Sequence, residues 1–299
     1  MPSERHLWKW VLVAPALAVL LLASAGPLVI VAVYSFLVPG DFGGVAWDLS
    51  GEAWFQTFFR RDLFAEGAVS LNTAHLAIFW RSIWLSLQTL LICLVIGFPT
   101  AWFIATRPER ARMFWLFLVT VPFWTNLLIR TFAIQEMLRS DGTLNTLLLW
   151  TGLIAEPVKM MFTDGAVLVG MAYVFLPLMV LPLYAAMDRL DFRLVEAGYD
   201  LYASRLSVLW HVILPQVRPG LVAGSILVFI PAIGSYVTPR VLGGGKTMML
   251  GNLIGLQFGQ GRNWPLGAAL SMLLLVIVLA ALAIYLRATS DQKGGRDRG

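Results

Sequence analysis

Six long uncharged runs constrain this chain more than any motif in it: Trp10 to Gly40, Ser82 to Thr106, Met113 to Ile129, Gly165 to Met187, Pro219 to Pro239 and Asn263 to Leu286. A helix needs about 20 apolar residues to cross ~30 Å of hydrocarbon, and a backbone in lipid must satisfy its own polar groups. Each run meets that length or nearly does. The third is the shortest, but only Arg130 interrupts an apolar sequence that continues through Ile134. Charged residues make up 13% of the chain, where a soluble domain carries about 25%, and hydrophobic residues make up 59%. The sequence therefore predicts an all-α, polytopic membrane protein with six transmembrane helices, over about 10–37, 82–106, 113–136, 165–187, 219–240 and 264–286. Two further uncharged runs do not qualify as spans. Gly142 to Ala155 is short and reads as an interfacial helix, and the Gly-rich, polar Thr247 to Gly261 reads as lying outside the bilayer.

Lys and Arg set the orientation, because they collect on the cytoplasmic side. With both termini inside, the cytoplasmic pieces hold Arg5, Lys9, Arg107, Arg110, Arg112, Arg189, Arg193, Arg205, Arg218, Arg287, Lys293, Arg296 and Arg298, which is 13 of the chain's 22 Lys and Arg. The expected layout is a cytoplasmic N-terminus at 1–9, a transmembrane domain at 10–290 and a cytoplasmic tail at 291–299. The net charge of +5 needs no nucleic acid, since this asymmetry and the anionic inner leaflet account for it. Ala23-Ser24-Ala25 has the form of a signal-peptidase site, but the apolar run continues from Pro27 to Leu37, so an uncleaved first span is expected.

Soluble chemistry is sparse. Cys93 is alone, so neither an internal disulfide nor a cysteine-based zinc cluster is available. His6, His75 and His211 all fall outside the spans, which leaves no intramembrane base for a hydrolase. Gly245-Lys246-Thr247 resembles the tail of a phosphate-binding loop, yet Arg240 stands where that motif needs its first Gly. Asp41 to Trp80 mixes aromatics with acids and reads as an external cap with interfacial helices.

The longest internal segment is the loop 188–218. Leu190, Leu194, Ala197 and Leu201 recur at helical spacing, with Asp191, Arg193, Glu196, Asp200 and Arg205 on other faces. Such a helix can lie flat on the membrane or dock in a partner's groove. Glu196 is expected near its positive end, small Ala197, Gly198 and Ala203 to admit a close neighbour, and Leu214-Pro215 to end the element before Pro219 opens the next span.

These residues resemble the cytoplasmic loop of permease subunits of bacterial ABC importers. The family pattern is Glu-Ala-Ala, three residues, Gly, nine residues, Ile, one residue, Leu-Pro. Glu196, Ala197 and Leu214-Pro215 match it; Gly198 takes the second Ala position, Tyr202 the Gly position and Val212 the Ile position. Thr125 to Thr131, Gly142 to Asn145, Val241 to Gly244 and Leu250 to Ile254 narrow the resemblance to spermidine/putrescine-type permeases, the first of the paired two, from about Arg81 to the end of the sixth span. The resemblance implies the type I permease fold and a coupling helix on which Glu196, Ala197, Gly198, Asp200, Tyr202, Ala203, Leu214 and Pro215 face an ATPase. It also implies a second permease, two ATPase subunits holding ATP and Mg, a periplasmic solute-binding protein, and residence in the bacterial inner membrane.

Pro99, Pro122, Pro177, Pro182 and Pro231 fall within spans, and broken helices in transporters can line a polar cavity. Pro231 and Gly234 make the fifth span the expected pore wall, with Tyr236 and Thr238 lining it. Arg130, about 27 Å along a straight helix from Arg112, is expected near the outer interface with Glu136 beyond it, and Tyr173 adds an aromatic face. No acid stands near a midplane to hold a polyamine, so either the partner permease carries the anionic site or the solute is another small compound. The expected function is passage of a polyamine or similar organic solute, with no catalytic residue, metal or cofactor on this chain. The alternative is an ion-coupled secondary transporter.

Overall fold

The computed structural model describes residues 3–61 and 69–294, with side chains over 13–61 and 69–283. Residues 1–2 of the N-terminal segment, 62–68 of the external segment and 295–299 of the tail lie outside that description. The chain forms two compact units, 1–76 with 253–277, and 77–252 with 278–299.

In the first unit α1 (Ser3–Tyr34) is apolar enough to span over Val13–Tyr34. The segment after α1, expected to be external, folds as two short antiparallel strand pairs around one helix, rather than as interfacial helices alone. β1 (Leu37–Pro39) pairs with β2 (Val45–Leu49), α2 (Glu52–Phe58) follows, and β3 (Phe59–Arg61) pairs with β4 (Val69–Leu71). Gly43 and Gly44, at φ 97° and 81°, supply the positive dihedrals of the first turn. Arg61 Nη2 donates to Glu52 Oε2 at 2.8 Å, and Asn72 Oδ1 accepts the His75 N–H where α3 (Thr73–Ala105) begins.

The second unit contains most of α3 and runs on through α4 (Glu109–Thr120), α5 (Leu127–Leu138), α6 (Thr143–Trp150), α7 (Asp164–Met187), α8 (Phe192–Asp200), α9 (Arg205–Val208), α10 (Leu214–Ile233), α11 (Val237–Leu242) and the start of α12 (Leu250–Phe258). The last helix, α13 (Trp264–Gly294), begins in the first unit and ends in the second. Among the described residues five helices are long and apolar enough to cross a membrane, or six if one bent pair counts as a span.

That bent pair corrects the expected straight helix over 113–136. The chain tightens to a 3₁₀ turn at Val121–Trp124, which holds Pro122, and then extends at Thr125 and Asn126. The Leu128 N–H donates to Asn126 Oδ1 at 2.8 Å, a side-chain cap that starts a new helix, and the direction changes by 95°. Arg130 therefore does not sit 27 Å along a straight axis from Arg112.

The fifth span differs from 219–240 at both ends. Leu214-Pro215 does not end a helix: α9, a π turn at Leu209–Ile213 and α10 run on continuously. The Leu214 N–H bonds five residues back to Leu209, a wider turn that accommodates Pro215's missing donor. The span then breaks after Ile233, as Pro231 and Gly234 led one to expect, and resumes as α11. What closes the break was expected outside the bilayer. Asn252 Nδ2 donates to the Tyr236 carbonyl at 2.7 Å, and its Oδ1 accepts from Met249 N–H. The Leu250 N–H reaches Ser82 Oγ at 2.7 Å. A Cβ on Gly251 would stand 2.6 Å from the Gly234 carbonyl oxygen, so only glycine admits this approach. The Leu250-Gly251-Asn252 run is thus buried packing, with Met249 and Leu250 fully covered. Asn145 plays a similar part after α5: Nδ2 donates to the carbonyls of Arg139 and Val158, and Oδ1 accepts from Val158 N–H.

Lipid tails are as apolar as leucine, so helices in a bilayer associate by close packing rather than by the hydrophobic effect. α7 and α10 follow that rule through Gly220 and Gly224, a small-xxx-small pair. A Cβ on Gly220 would lie 2.5 Å from Ala186 Cβ and 2.6 Å from the Pro182 carbonyl oxygen, and one on Gly224 2.8 Å from Met179 Sδ. Cys93 packs here too, fully buried, with its Sγ 3.6 Å from the Ala172 carbonyl oxygen.

Candidate functional site

The first site is the loop between α7 and α10. Asp191 Oδ1 accepts the Arg193 N–H at 3.1 Å and starts α8, so Asp191 rather than Glu196 sits at the positive helix end. Glu196 is mid-helix and exposed. The helix buries Val195, flanked by Phe192 and Gly198, and Phe192 tilts against Trp102 with ring centroids 5.9 Å apart. The stripe Leu194, Ala197, Leu201 that the sequence marks as amphipathic faces outward, with Leu194 50% and Leu201 82% exposed. Only Leu190, in the turn before the helix, is buried as a core residue. The apolar stripe exists, but it is not the face this chain covers.

α8 ends in a Schellman motif. The Ala203 N–H bonds to the Gly198 carbonyl at 3.1 Å and the Tyr202 N–H to that of Tyr199 at 2.9 Å. The residue between, Tyr202, has φ 58° and is 98% exposed. Glycine is the usual occupant of this left-handed position, which explains why the family pattern has Gly there. Ser204 Oγ then caps α9 by accepting from Ser207 N–H. Gly198 is small for an internal reason: a Cβ would meet Val208 Cγ2 at 3.2 Å, so its closeness is to the returning chain and not to a partner. Ala203 is half-buried against the α3–α7 core, Asp200 is exposed, and Leu214 and Pro215 border a shallow cavity with Trp210, Arg218 and Leu221. Sequence reading missed Arg112, which donates to Asp188 at the end of α7 and to the Ala105 carbonyl at 3.0 Å. Those bonds tie the starts of α4 and of the loop together.

The expected path residues do not form one cluster. Tyr236, at the break in the fifth span, borders a cavity of about 430 Å³ with Leu128, Phe132 and Gln135 of α5 and Val237, Arg240 and Val241 of α11. Thr238, two residues on, is 1% exposed, and a Cβ on Gly170 of α7 would meet its Cγ2 at 2.7 Å, so it packs between helices and does not border this cavity. Helical turning from Tyr236 sends the two side chains to different faces. Glu136 is exposed and bonded to Arg139 at 3.2 Å, and Arg139 also holds Asp141 at 3.1 Å. Tyr173 is exposed on α7, while Arg130 is partly covered, its Nε and Nη1 buried without a hydrogen-bond partner. Gln135 and Arg240, which sequence reading did not select, sit in the cavity wall; neither carries a signal beyond being polar in an apolar stretch.

The family described as "binding-protein-dependent transport system inner membrane component" matches residues 76–293. The spermidine/putrescine transport system permease protein PotB of Salmonella typhimurium is 43% identical over 219 residues, 73% of this chain and 76% of that protein. PotB of Escherichia coli is 42% identical over 219 residues, 73% of this chain and 80% of that protein. A solved bacterial ABC transporter involved in the import of alginate has a chain that aligns with a TM-score of 0.62 at 16% identity, covering 95% of this chain and 96% of that one. That likeness carries the fold alone.

Proposed function

This chain belongs to the family of binding-protein-dependent transport inner-membrane components, and on that premise we propose how it works as the permease subunit of an ABC importer. It is a multi-pass inner-membrane transport subunit, not itself an enzyme. Its part is to form, with a second permease, the route for a small organic solute of the polyamine or related kind, released by a periplasmic binding protein. ATP and Mg bind to two partner ATPase subunits.

The observation that carries this reading is the outward apolar stripe of α8. A helix that buries Val195 and leaves Leu194, Leu201 and Tyr202 uncovered is built for a second surface. The α9–π–α10 continuity gives that surface a mechanical consequence. A push on the loop passes along an unbroken helix to the break at Gly234, beside the cavity bordered by Tyr236. Closure of the ATPases would then be felt at the far end of the same rod. Glu196, Asp200 and Tyr202 supply the exposed polar and aromatic groups on the docking side, while Gly198 and Ala203 hold the loop's shape.

The test is co-purification. In detergent, the chain expressed with its importer partners should bring down an ATPase subunit, and Glu196→Lys should lower that yield while leaving the protein inserted in the membrane. Undiminished co-purification and undiminished solute uptake with Glu196→Lys would remove α8 as the docking element.

A further inference from the structure

A solute with two ammonium groups is recognised by carboxylates, hydroxyl oxygens and aromatic faces, and one cavity of this chain is lined by that set. It lies along α6, has a volume of about 360 Å³, and is bordered by Asp141, Thr143, Thr146, Leu147 and Trp150. The two cavities described above each carry an arginine, Arg240 or Arg218, and no acid. This one carries an acid and no cation in its lining. Helical turning explains the grouping: Thr143, Thr146, Leu147 and Trp150 recur at spacings of three, four and seven, and so share one face of α6. Asp141 stands at the start of that face, just before the Gly142 cap. Its charge is only partly met. Arg139 donates Nε to Asp141 Oδ1 at 3.1 Å and Nη2 to Oδ2 at 3.2 Å, while its Nη1 is held by Glu136 at 3.2 Å. Two carboxylates thus share one guanidinium, and the group keeps a net negative charge. Thr146 Oγ1 donates to the Gly142 carbonyl at 3.0 Å, which leaves its lone pairs free to accept. The Thr143 hydroxyl and the Trp150 ring have no partner among the described residues, and Trp150 is 84% exposed.

We infer that this cavity is a subsite for a primary diamine, with Asp141 taking one ammonium, Leu147 lying along the methylene chain and Trp150 facing the second ammonium. The assignment rests on the permease reading and deepens it by naming where this chain meets a cationic solute. α6 follows α5 on the side that Lys and Arg counting assigns to the outside, where such a solute arrives. Thr143 and Trp150 are seven residues apart, about 10 Å along the helix, so the carboxylate and the ring can engage the two ends of one extended molecule. Carboxylate and ammonium form a charge-assisted hydrogen bond, and indole is the best ring for cation–π contact. The volume lies in the range of small-molecule sites. Arg139 is no obstacle. The Asp141 and Glu136 side chains are 74% and 67% exposed, so the guanidinium can stay on Glu136 while an ammonium takes its place on Asp141.

Leu147→Cys, at an exposed lining position, reports occupancy once the buried native thiol is removed by Cys93→Ala. In the assembled importer, in nonionic detergent and without the soluble binding protein, butane-1,4-diamine should slow alkylation of that variant by iodoacetamide. Pentan-1-amine has the same length with a methyl group in place of one ammonium, and should need about threefold more for half-protection. Asp141→Asn should raise the diamine concentration for half-protection about tenfold, as expected for a lost charged hydrogen bond, and Asp141→Glu should retain part of it. Trp150→Leu should raise it about threefold, the size of an exposed cation–π contact. Half-protection unchanged in Asp141→Asn or in Trp150→Leu, equal protection by pentan-1-amine, or no protection by the diamine would each overturn the assignment. ATPase co-purification in the same preparation is read separately. Its loss would count against the permease reading, and its presence with failed protection against the subsite alone.

Discussion

At Tyr202 the backbone is left-handed, and the cost of that conformation for a residue with a Cβ is about 1–2 kcal/mol. Glycine would remove it, but would give back roughly 0.5–1 kcal/mol through a more flexible unfolded chain. The balance favours Tyr202→Gly by about 0.5–1 kcal/mol, so amide exchange at residues 202 and 203, which close the Schellman motif, should slow about two- to fivefold. Faster exchange would mean that the phenol ring, for all its exposure, holds the helix end together. The departure from the family's Gly was visible in the sequence, but not its physical meaning, because the sign of φ depends on where α8 stops. Thr238 was misplaced for a related reason: after the break at Gly234 the helical phase restarts, and no periodicity carries across it. Gly198 shows the same limit, since smallness can be read from sequence but not which neighbour requires it.

The helices of the second unit were legible where they are long and uncharged, and illegible where they break. Pro122 sits in the 3₁₀ turn and Pro231 just before a true break, yet Pro215 and Pro219 sit in a continuous rod. A proline removes one donor in every case, and the outcome depends on what satisfies the backbone groups around it: near one break Asn252 donates to the Tyr236 carbonyl and Ser82 accepts the Leu250 N–H, and at another a π turn takes up the Leu209 carbonyl. The stripe on α8 was legible as a face for the membrane or for a partner's groove, and this chain leaves it uncovered; which of the two covers it was not legible, because helical spacing gives a face's composition but not its partner. Close contact between α7 and α10 gives an element-scale prediction. Gly220→Val inserts a Cβ within 2.6 Å of the Pro182 carbonyl oxygen, backbone that cannot swing aside. Overpacking of this kind costs about 1–3 kcal/mol, so the detergent-solubilised chain should unfold at a lower temperature, and Gly220→Ala should show a smaller drop. Melting at the original temperature with valine would mean that the helices slide to relieve the overlap. Gly198→Trp should likewise disorder the loop between α7 and α10, seen as faster proteolysis between 188 and 218, by clashing with Val208 rather than by blocking a partner.

How many times the chain crosses the membrane turns on the bent pair, and one ion pair favours counting that pair as a span. Arg112, in the first turn of α4, bonds to Asp188 at the end of α7, so those two points lie at the same end of the second unit. α7 has 24 residues and so spans about 36 Å, enough to cross, which puts its start at Asp164 on the opposite side. The chain between Arg112 and Asp164 is therefore predicted to cross once. Were α4 and α5 a re-entrant hairpin returning to its own side, Asp164 would begin α7 on the same side as Arg112, and Arg112 could not reach the far end of that helix. The Arg81 bond to the Lys246 carbonyl agrees, joining two segments that Lys and Arg counting assigns to the outside. Six crossings would put both termini on one side, and Lys and Arg counting predicts that this side is the cytoplasm. A reporter active only in the periplasm should then be silent when fused after Arg298 and active when fused after Glu156, in the segment between α6 and α7. Silence at Glu156 would make α4 and α5 re-entrant, and activity after Arg298 would place the C-terminus outside. Either result would undo the topology on which the docking of α8 to a cytoplasmic ATPase depends.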